Sequence, residues 1–152
     1  LHDSQFNEIE KKINKTNSIS INIRRGDYLN TKHKNIFVNL DEKYYLKAIQ
    51  IIRKKVKNPH FYVFSYDDPE WFKKTLQLRD NEFTYMDKTY VGSRFQTYLR
   101  LISLCKHNII SNSTFAFWGA YLNKNSDKIV IAPQKWSHTA SHFEAAKSWQ
   151  LL

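Results

Sequence analysis

Segments with the two-residue period of β-strands alternate along this chain with segments that have the period of amphipathic helices. In residues 18–23, isoleucines alternate with Ser20 and Asn22, which predicts a strand with one apolar and one polar face. Residues 42–56 carry apolar side chains at helical spacing, and Asp41 is placed to cap that helix. Further strands are predicted at 61–65, 83–86, 108–111 and 128–132, and further helices at 6–13, from 69, and at 93–104, 114–122 and 140–149.

This alternation predicts an α/β fold class with one mostly parallel sheet covered by helices. The 152 residues suffice for a core, so residues 1–152 are predicted to form a single domain. Ligands of such sheets bind outside the carboxyl ends of the strands. The residues that follow each predicted strand are therefore the first candidates for a functional site.

The charge of the chain points to anionic partners. Lysine and arginine number 24 against 14 aspartate and glutamate residues, and a net charge of +10 attracts nucleic acid, anionic lipid or phosphate-bearing small molecules. With three glycines there is no glycine-rich phosphate loop, so side chains and helix N-termini must hold any phosphate. The single cysteine, Cys105, excludes an internal disulfide and a cysteine-based zinc site, and it suggests a reducing compartment.

Two adjacent arginines, Arg24 and Arg25, follow the first strand, and Arg24 shares the polar strand face with Asn22. A guanidinium group presents a planar set of donors that suits phosphate oxygens. The alternative is a surface turn in which one of the arginines pairs with Asp27.

Two aspartates follow the second strand. Asp68 is placed to cap the next helix, which leaves Asp67 to accept hydrogen bonds from the ring N–H and amino groups of a guanine. A magnesium site is the rival interpretation, although further oxygen ligands are not evident in the sequence.

Asn112, Ser113 and Thr114 follow the strand at 108–111 and lead directly into a helix. Free N–H groups and two hydroxyls at a helix N-terminus favour an anion site, with ordinary capping as the alternative. The aromatic residues of that helix are expected in the core: Phe115, Phe117, Trp118 and Tyr121.

Together these segments resemble glycosyltransferase family 11, the α-1,2-fucosyltransferases. Residues 22–28 match the family's first motif, residues 64–68 followed by Trp71 match its serine-aspartate stretch, and residues 104–115 give the most specific match. Two positions depart from the pattern. Asn22 stands where the family has a histidine, and Phe117 replaces one of two adjacent tryptophans.

The resemblance implies the GT-B architecture of two Rossmann-like domains, with this chain as the C-terminal, donor-binding half and the N-terminal acceptor-side domain missing. It implies GDP-fucose as donor substrate, a galactose-containing glycan as acceptor, and neither a metal ion nor a further cofactor. No apolar run is long enough for a membrane span, and residues 1–10 lack the pattern of a signal peptide. We therefore expect a bacterial-type cytoplasmic protein that contacts the membrane at most peripherally.

The implied reaction transfers fucose with inversion to form an α-1,2 linkage. Arg24 would stabilise the charge that grows on the β-phosphate of the leaving GDP, supported by Arg25. Asp27 is the candidate base or an ion-pair partner of Arg24. By the same resemblance, Asn22 would contact the donor, Asp67 or Asp68 would recognise guanine, and the helix N-terminus would supply donors from Asn112, Ser113 and Thr114.

Two other classes stay open. The charge suggests a nucleic-acid-binding module, but no RNA- or DNA-binding motif is present, so no nucleic-acid partner is predicted. A degenerate domain that binds a nucleotide sugar without catalysis is the second alternative, because Asn22 replaces the family histidine. This chain on its own is expected to be inactive without the acceptor-side domain.

Overall fold

The computed structural model describes residues 2–25, 35–65, 69–87, 95–139 and 145–152. Its helices are α1 (His2–Lys15), α2 (Glu42–Lys55), α3 (Pro69–Thr75), α4 (Phe95–Leu104) and α5 (Thr114–Tyr121), with a short 3₁₀ helix at Asp80–Glu82. Its strands are β1 (Asn17–Ile23), β2 (Pro59–Ser65), β3 (Phe83–Tyr85), β4 (His107–Ile109), β5 (Val130–Ala132) and β6 (Gln150–Leu151).

These strands form one sheet of the order β3-β2-β1-β4-β5-β6 in which every neighbouring pair is parallel. The predicted Rossmann-like parallel sheet is therefore confirmed. Along the chain, β2 and β3 are added on one side of β1, and β4, β5 and β6 are added on its other side. The order in which strands are added therefore reverses between β1 and β4. In such sheets this switch point opens a ligand crevice at the carboxyl ends of the strands. We call that end of the sheet the carboxyl edge and the opposite end the amino edge.

Helices cover both faces of the sheet. On one face, the isoleucines of β1 pack against α2 and α3; on the other, residues of β2 pack against α1 and α4. The fully buried members of the first layer include Ile19, Ile21, Tyr45, Ile49, Ile52, Phe61 and Val63, and those of the second include Ile9, Ile13, Tyr62, Leu101 and Ile102. Within the described residues, no helix is long and apolar enough to cross a membrane.

Helix α2 forms as its sequence predicts. The side chain of Asp41 accepts a hydrogen bond from the Tyr44 N–H at 3.2 Å, which caps the first turn. An acid, Glu42, lies in the first turn and three cations lie in the last, so both ends match the helix dipole.

The polar face of β1 is buried rather than solvated. Ser18 Oγ accepts from the Lys106 N–H at 3.0 Å, and Ser20 Oγ accepts from Asn108 Nδ2 at 2.8 Å. Asn108 Oδ1 in turn accepts from Asn123 Nδ2 at 2.7 Å. These groups form a polar seam between β1 and β4 whose members are Ser18, Ser20, Asn22, Asn108, Ser111 and Asn123.

Two predictions about the second half of the chain are wrong. The described part of the predicted terminal helix, residues 145–149, is not helical and leads into β6, which extends the sheet beside β5. Trp149 is buried there and its ring centroid lies 5.2 Å from that of Phe117. Trp118 and Tyr121 are not core residues either, with 50% and 55% of their surface exposed. Helix α5 packs on α4 through Gly119, whose backbone lies against Ile102, and Trp118 and Tyr121 lie on the exposed part of the helix.

Candidate functional site

The residues that leave β1 and those that leave β4 meet at the switch point. Ser111 Oγ, just beyond β4, donates a hydrogen bond to Asn22 Oδ1 near the end of β1 at 2.5 Å. Asn22 is 9% exposed and Ser111 is fully buried. The sequence placed Asn22, Arg24, Arg25 and residues 112–114 at strand ends, and the parallel sheet brings these strand ends side by side.

Arg25 is anchored in the α2–α3 layer. Its guanidinium carbon lies 4.1 Å from the ring centroid of Trp71, a cation–π contact. Its Nη1 donates to the carbonyl oxygen of Leu40 at 3.3 Å. Its Nε is buried and finds no hydrogen-bond partner among the described residues. These contacts hold Arg25 on the same side of the sheet as Ile21 and Ile23.

Strand alternation predicts that Arg24 lies on the other side of the sheet. Because Ile23 and Arg25 flank it on the α2–α3 side, the alternation of an extended chain directs Arg24 to the face that carries Asn22 and the polar seam. The residue is half-buried. By this alternation, Arg24 is the arginine that we expect to border the crevice between β1 and β4.

Two tyrosines of α2 fasten the carboxyl edge. Tyr44 Oη donates to the carbonyl oxygen of Ile110 at 2.5 Å and lies 3.3 Å from that of Ile131, and Tyr45 Oη donates to that of Asn22 at 3.4 Å. Burial raises the pKa of both hydroxyls, and the nearby charge of Arg25 opposes this only in part for Tyr45. Both therefore stay protonated and act as donors. The sequence suggested only a core role for Tyr45, because carbonyl partners so distant in the chain leave no local signal.

The N-terminus of α5 borders the same crevice. Ser113 Oγ accepts from the Ala116 N–H at 3.5 Å, so Ser113 serves as the N-cap. The first turn of α5 contains no acidic residue, and Thr114 is exposed. The positive end of this helix is therefore not neutralised by an acid of its own first turn.

Asn112 has a structural task at this edge. Its Nδ2 donates to the carbonyl oxygens of Val38 and Trp136, both at 2.8 Å. The side chain thereby ties two loops to the end of β4. The predicted roles of Asn112, Ser113 and Thr114 in ligand binding stay predictions.

Three predicted site residues, Asp27, Asp67 and Asp68, lie outside the described residues. Over residues 2–25, 35–65, 69–87, 95–139 and 145–152, no three histidine, cysteine, aspartate or glutamate side chains group as metal ligands.

A second basic region lies at the amino edge, at the opposite end of the sheet from the predicted site residues that the structure describes. A cavity of about 760 Å³ opens there, lined by the starts of β1 and β2 and by Lys15, Arg53, Lys57 and Arg79. Glu82 also lines it and forms ion pairs with Arg53 and, at 2.6 Å, with Arg79.

Comparison with known proteins gives a consistent result. The sequence model of glycosyl transferase family 11 matches residues 1–151. The O-antigen biosynthesis glycosyltransferase WbnK of Escherichia coli is 40% identical over 121 residues, which are 79% of this chain and 39% of that protein. An α-1,2-colitosyltransferase of Escherichia coli is 38% identical over 132 residues, which are 85% of this chain and 44% of that protein.

A more distant relative is the galactoside 2-α-L-fucosyltransferase Sec1 of Mus musculus, 30% identical over 134 residues, which are 84% of this chain and 35% of that protein. The chain thus spans less than half the length of these three relatives. No solved structure gives a significant match.

Proposed function

Because this chain belongs to glycosyl transferase family 11, we propose that it is the donor-binding part of a glycosyltransferase that takes fucose from GDP-fucose. The acceptor is a galactose-containing glycan, and the product carries an α-1,2 linkage formed with inversion. The acceptor-side domain of a GT-B enzyme would supply the remaining contacts.

The observation that carries this proposal is the position of Arg24. It directly follows β1, which borders the switch point beside β4, and α5 begins shortly after β4 at the same end of the sheet. A guanidinium group and a helix N-terminus each attract anionic oxygens. A diphosphate in the crevice would satisfy both the guanidinium and the backbone N–H groups of α5.

Arg24 then has a catalytic task. When the bond between fucose and GDP breaks, negative charge grows on the β-phosphate, and a fixed guanidinium stabilises that charge more in the transition state than in the bound donor. Arg25, held by Trp71 and the Leu40 carbonyl, supports the site by adding positive potential from a fixed position. Because the arginines neutralise the diphosphate, we propose that transfer needs no metal ion, so a chelator should leave turnover unchanged.

Recognition of guanine is assigned to Asp67 or Asp68, and removal of the acceptor proton to Asp27. These assignments follow from the family motifs, and Asp27 has the ion-pair alternative with Arg24. An Asp27→Asn variant with wild-type turnover would exclude the base role.

The names of the relatives bear on linkage and sugar differently. Both the colitosyltransferase and the mouse fucosyltransferase are named for transfer to position 2, but for different sugars. We therefore propose the α-1,2 linkage with fucose as the sugar, and colitose is the competing donor. The single cysteine is consistent with a cytoplasmic location.

Calorimetric titration without metal tests donor binding directly. We expect the purified protein to bind GDP-fucose and GDP at least about tenfold more tightly than UDP or GMP, and Arg24→Ala to weaken GDP binding about 30- to 100-fold. The matched control is Lys54→Ala, which removes one exposed cation from the last turn of α2, at the amino edge. Equal binding of GDP, UDP and GMP, or equal losses in both variants, would contradict the proposal.

Turnover distinguishes an enzyme from a degenerate binding domain. The complete protein is incubated with a galactoside acceptor and either GDP-fucose or nucleotide-linked colitose, and the product linkage is determined. Transfer of colitose alone would correct the donor sugar. Tight GDP binding with no transfer of either sugar, restored by Asn22→His, would favour the degenerate domain.

A further inference from the structure

The pair Asn22 and Ser111 joins the two strands that border the crevice. Ser111 Oγ donates to Asn22 Oδ1 at 2.5 Å, and the backbone carbonyl of Ser111 accepts from the Ser113 N–H at 2.8 Å. One residue thus fixes both the end of β1 and the turn into α5. Ser111 itself is fully buried, so its hydroxyl has little freedom to choose another partner.

In the structure, the hydrogen bond from Ser111 meets the oxygen end of the Asn22 amide. One end of a carboxamide is an acceptor oxygen, and the other end is an NH₂ group with two donors. Ser111 engages the oxygen, and among the described residues the recorded hydrogen bonds of this side chain involve Oδ1 only. The amide nitrogen therefore has no recorded acceptor among the described residues, and Asn22 as a whole keeps 9% of its surface exposed.

We propose that Ser111 is a positioning residue that holds the Asn22 amide with its NH₂ group toward an anionic oxygen of the bound nucleotide diphosphate. The inference rests on the proposed function for the identity of the ligand. A rotated amide would turn the lone pairs of Oδ1 toward the phosphate, which is repulsive. A hydroxyl can pair with either end of the amide, so Ser111 fixes the place of the amide while the anion selects its NH₂ end, and the contribution of Ser111 passes through Asn22.

The polar seam offers a matched control. Ser20 lies two residues before Asn22 on the same face of β1. Like Ser111 it is fully buried, and it accepts a side-chain hydrogen bond from Asn108. Ser20→Ala should therefore destabilise the fold much as Ser111→Ala does, but should leave the affinity for GDP unchanged. Unfolding in urea measures the first effect and calorimetry with GDP the second.

The decisive variants are Ser111→Ala, Asn22→Ala, their combination, and Asn22→Asp. We expect Ser111→Ala to weaken GDP binding about tenfold, and Asn22→Ala about 10- to 30-fold. In the Asn22→Ala background, Ser111→Ala should have no further effect, because the group it positions is gone. Asn22→Asp keeps the acceptor for Ser111 and hence the fold, but it turns a negative oxygen to the phosphate, so it should bind GDP more weakly than Asn22→Ala.

Two outcomes would overturn the inference: a tenfold loss from Ser111→Ala that persists in the Asn22→Ala background, or wild-type affinity in Asn22→Asp. Either result leaves the proposed function intact as long as wild-type protein prefers GDP and Arg24→Ala abolishes that preference. If wild-type protein shows no preference for GDP, the proposed function itself fails, so the two failures are distinguishable.

Discussion

The two edges of the sheet are both basic, but their cations stand in opposite relations to the helices. At the amino edge, α1 and α2 end, and their last turns carry Lys12, Lys15, Arg53, Lys54 and Lys55. At the carboxyl edge, Arg24 follows β1 and α5 begins after β4, and the first turn of α5 contains no acid. Cations stabilise the negative end of a helix and are repelled by the positive end.

This difference separates structural charge from functional charge. Cations at helix C-termini contribute to folding and need no ligand, and at the amino edge Glu82 adds ion pairs with Arg53 and Arg79. A helix whose first turn contains no acid favours an anionic ligand, and an arginine at the same edge adds to that attraction. The net charge of +10 is therefore uninformative as a sum, and its placement relative to helix ends indicates where the ligand binds.

The largest expected effect tests the amino edge. Burial alone would raise the pKa of Glu82, but hydrogen bonds and charges from Arg53 and Arg79 outweigh burial and lower it. Glu82→Gln leaves two guanidinium groups without their carboxylate, and we expect a loss of about 2–3 kcal/mol in the free energy of unfolding, measured in urea at pH 7. Affinity for GDP should not change. A loss of GDP affinity without loss of stability would remove the distinction between the edges.

The second prediction distinguishes the roles of the adjacent arginines Arg24 and Arg25 at the carboxyl edge. Arg25→Ala removes the contact with Trp71 and the hydrogen bond to the Leu40 carbonyl, so we expect a loss of about 1–2 kcal/mol in stability. Its effect on GDP affinity should be severalfold smaller than that of Arg24→Ala, which in turn should not lower stability. Urea unfolding and GDP titration of both variants give the comparison. The reverse pattern would assign phosphate binding to Arg25.

The third prediction adds an acid where α5 has none. Thr114 is exposed in the first turn, so Thr114→Asp should stabilise the helix by about 0.3–1 kcal/mol. The same carboxylate should repel a diphosphate and weaken GDP binding about tenfold. Thr114→Asn is the matched neutral variant and should bind GDP like wild type. Unchanged GDP affinity in Thr114→Asp would place the anion away from α5.

The sequence predicts most of the fold because helices and inner strands carry local periods. Asp41 and the apolar spacing after it predicted α2, and alternating strands and helices predicted the parallel sheet. Strand β6 was missed because a two-residue edge strand has no period, and only its pairing with β5 defines it. Trp118 and Tyr121 were misplaced because α5 is apolar on all sides, and only the close approach of Gly119 to α4 shows which side is buried.

The sequence predicted which strand ends form the site, but it did not predict the contacts among their side chains. The motif around Arg24 and Arg25 indicated a phosphate site, yet nothing local tells which arginine packs on Trp71. The polar face of β1 was predicted, but its burial was not, because the partner of Asn22, Ser111, lies 89 positions further along the chain. Contacts over such separations follow from the fold alone.

The smallest expected effect concerns pH and again separates the edges. His107 lies at the start of β4 on the amino edge, and its Nδ1 accepts from the Ile129 N–H at 3.0 Å. Burial, then the charge of Lys106, lowers its pKa, against a weaker opposing effect of Asp127. The unfolded chain, with a histidine pKa near 6.5, therefore binds the proton more readily than the folded protein. The stability that neutral His107 contributes is fully present above the pKa of the unfolded chain. It is lost as the pH falls toward the lower pKa of His107 in the folded protein.

We expect the free energy of unfolding to fall by about 1 kcal/mol or less between pH 7.5 and 5.5, measured in urea. His107→Asn keeps an acceptor near the position of Nδ1 but cannot be protonated, so its stability should fall less over the same range. An unchanged slope would assign the effect to other groups, among them His60, whose pKa burial also lowers. If protonation of His107 affects only the stability of the amino edge, the folded His107→Asn variant should bind GDP as tightly as wild type at each pH. A difference in affinity would mean that the two edges are coupled through β4, the strand that carries His107 at one end and leads to Ser111 at the other.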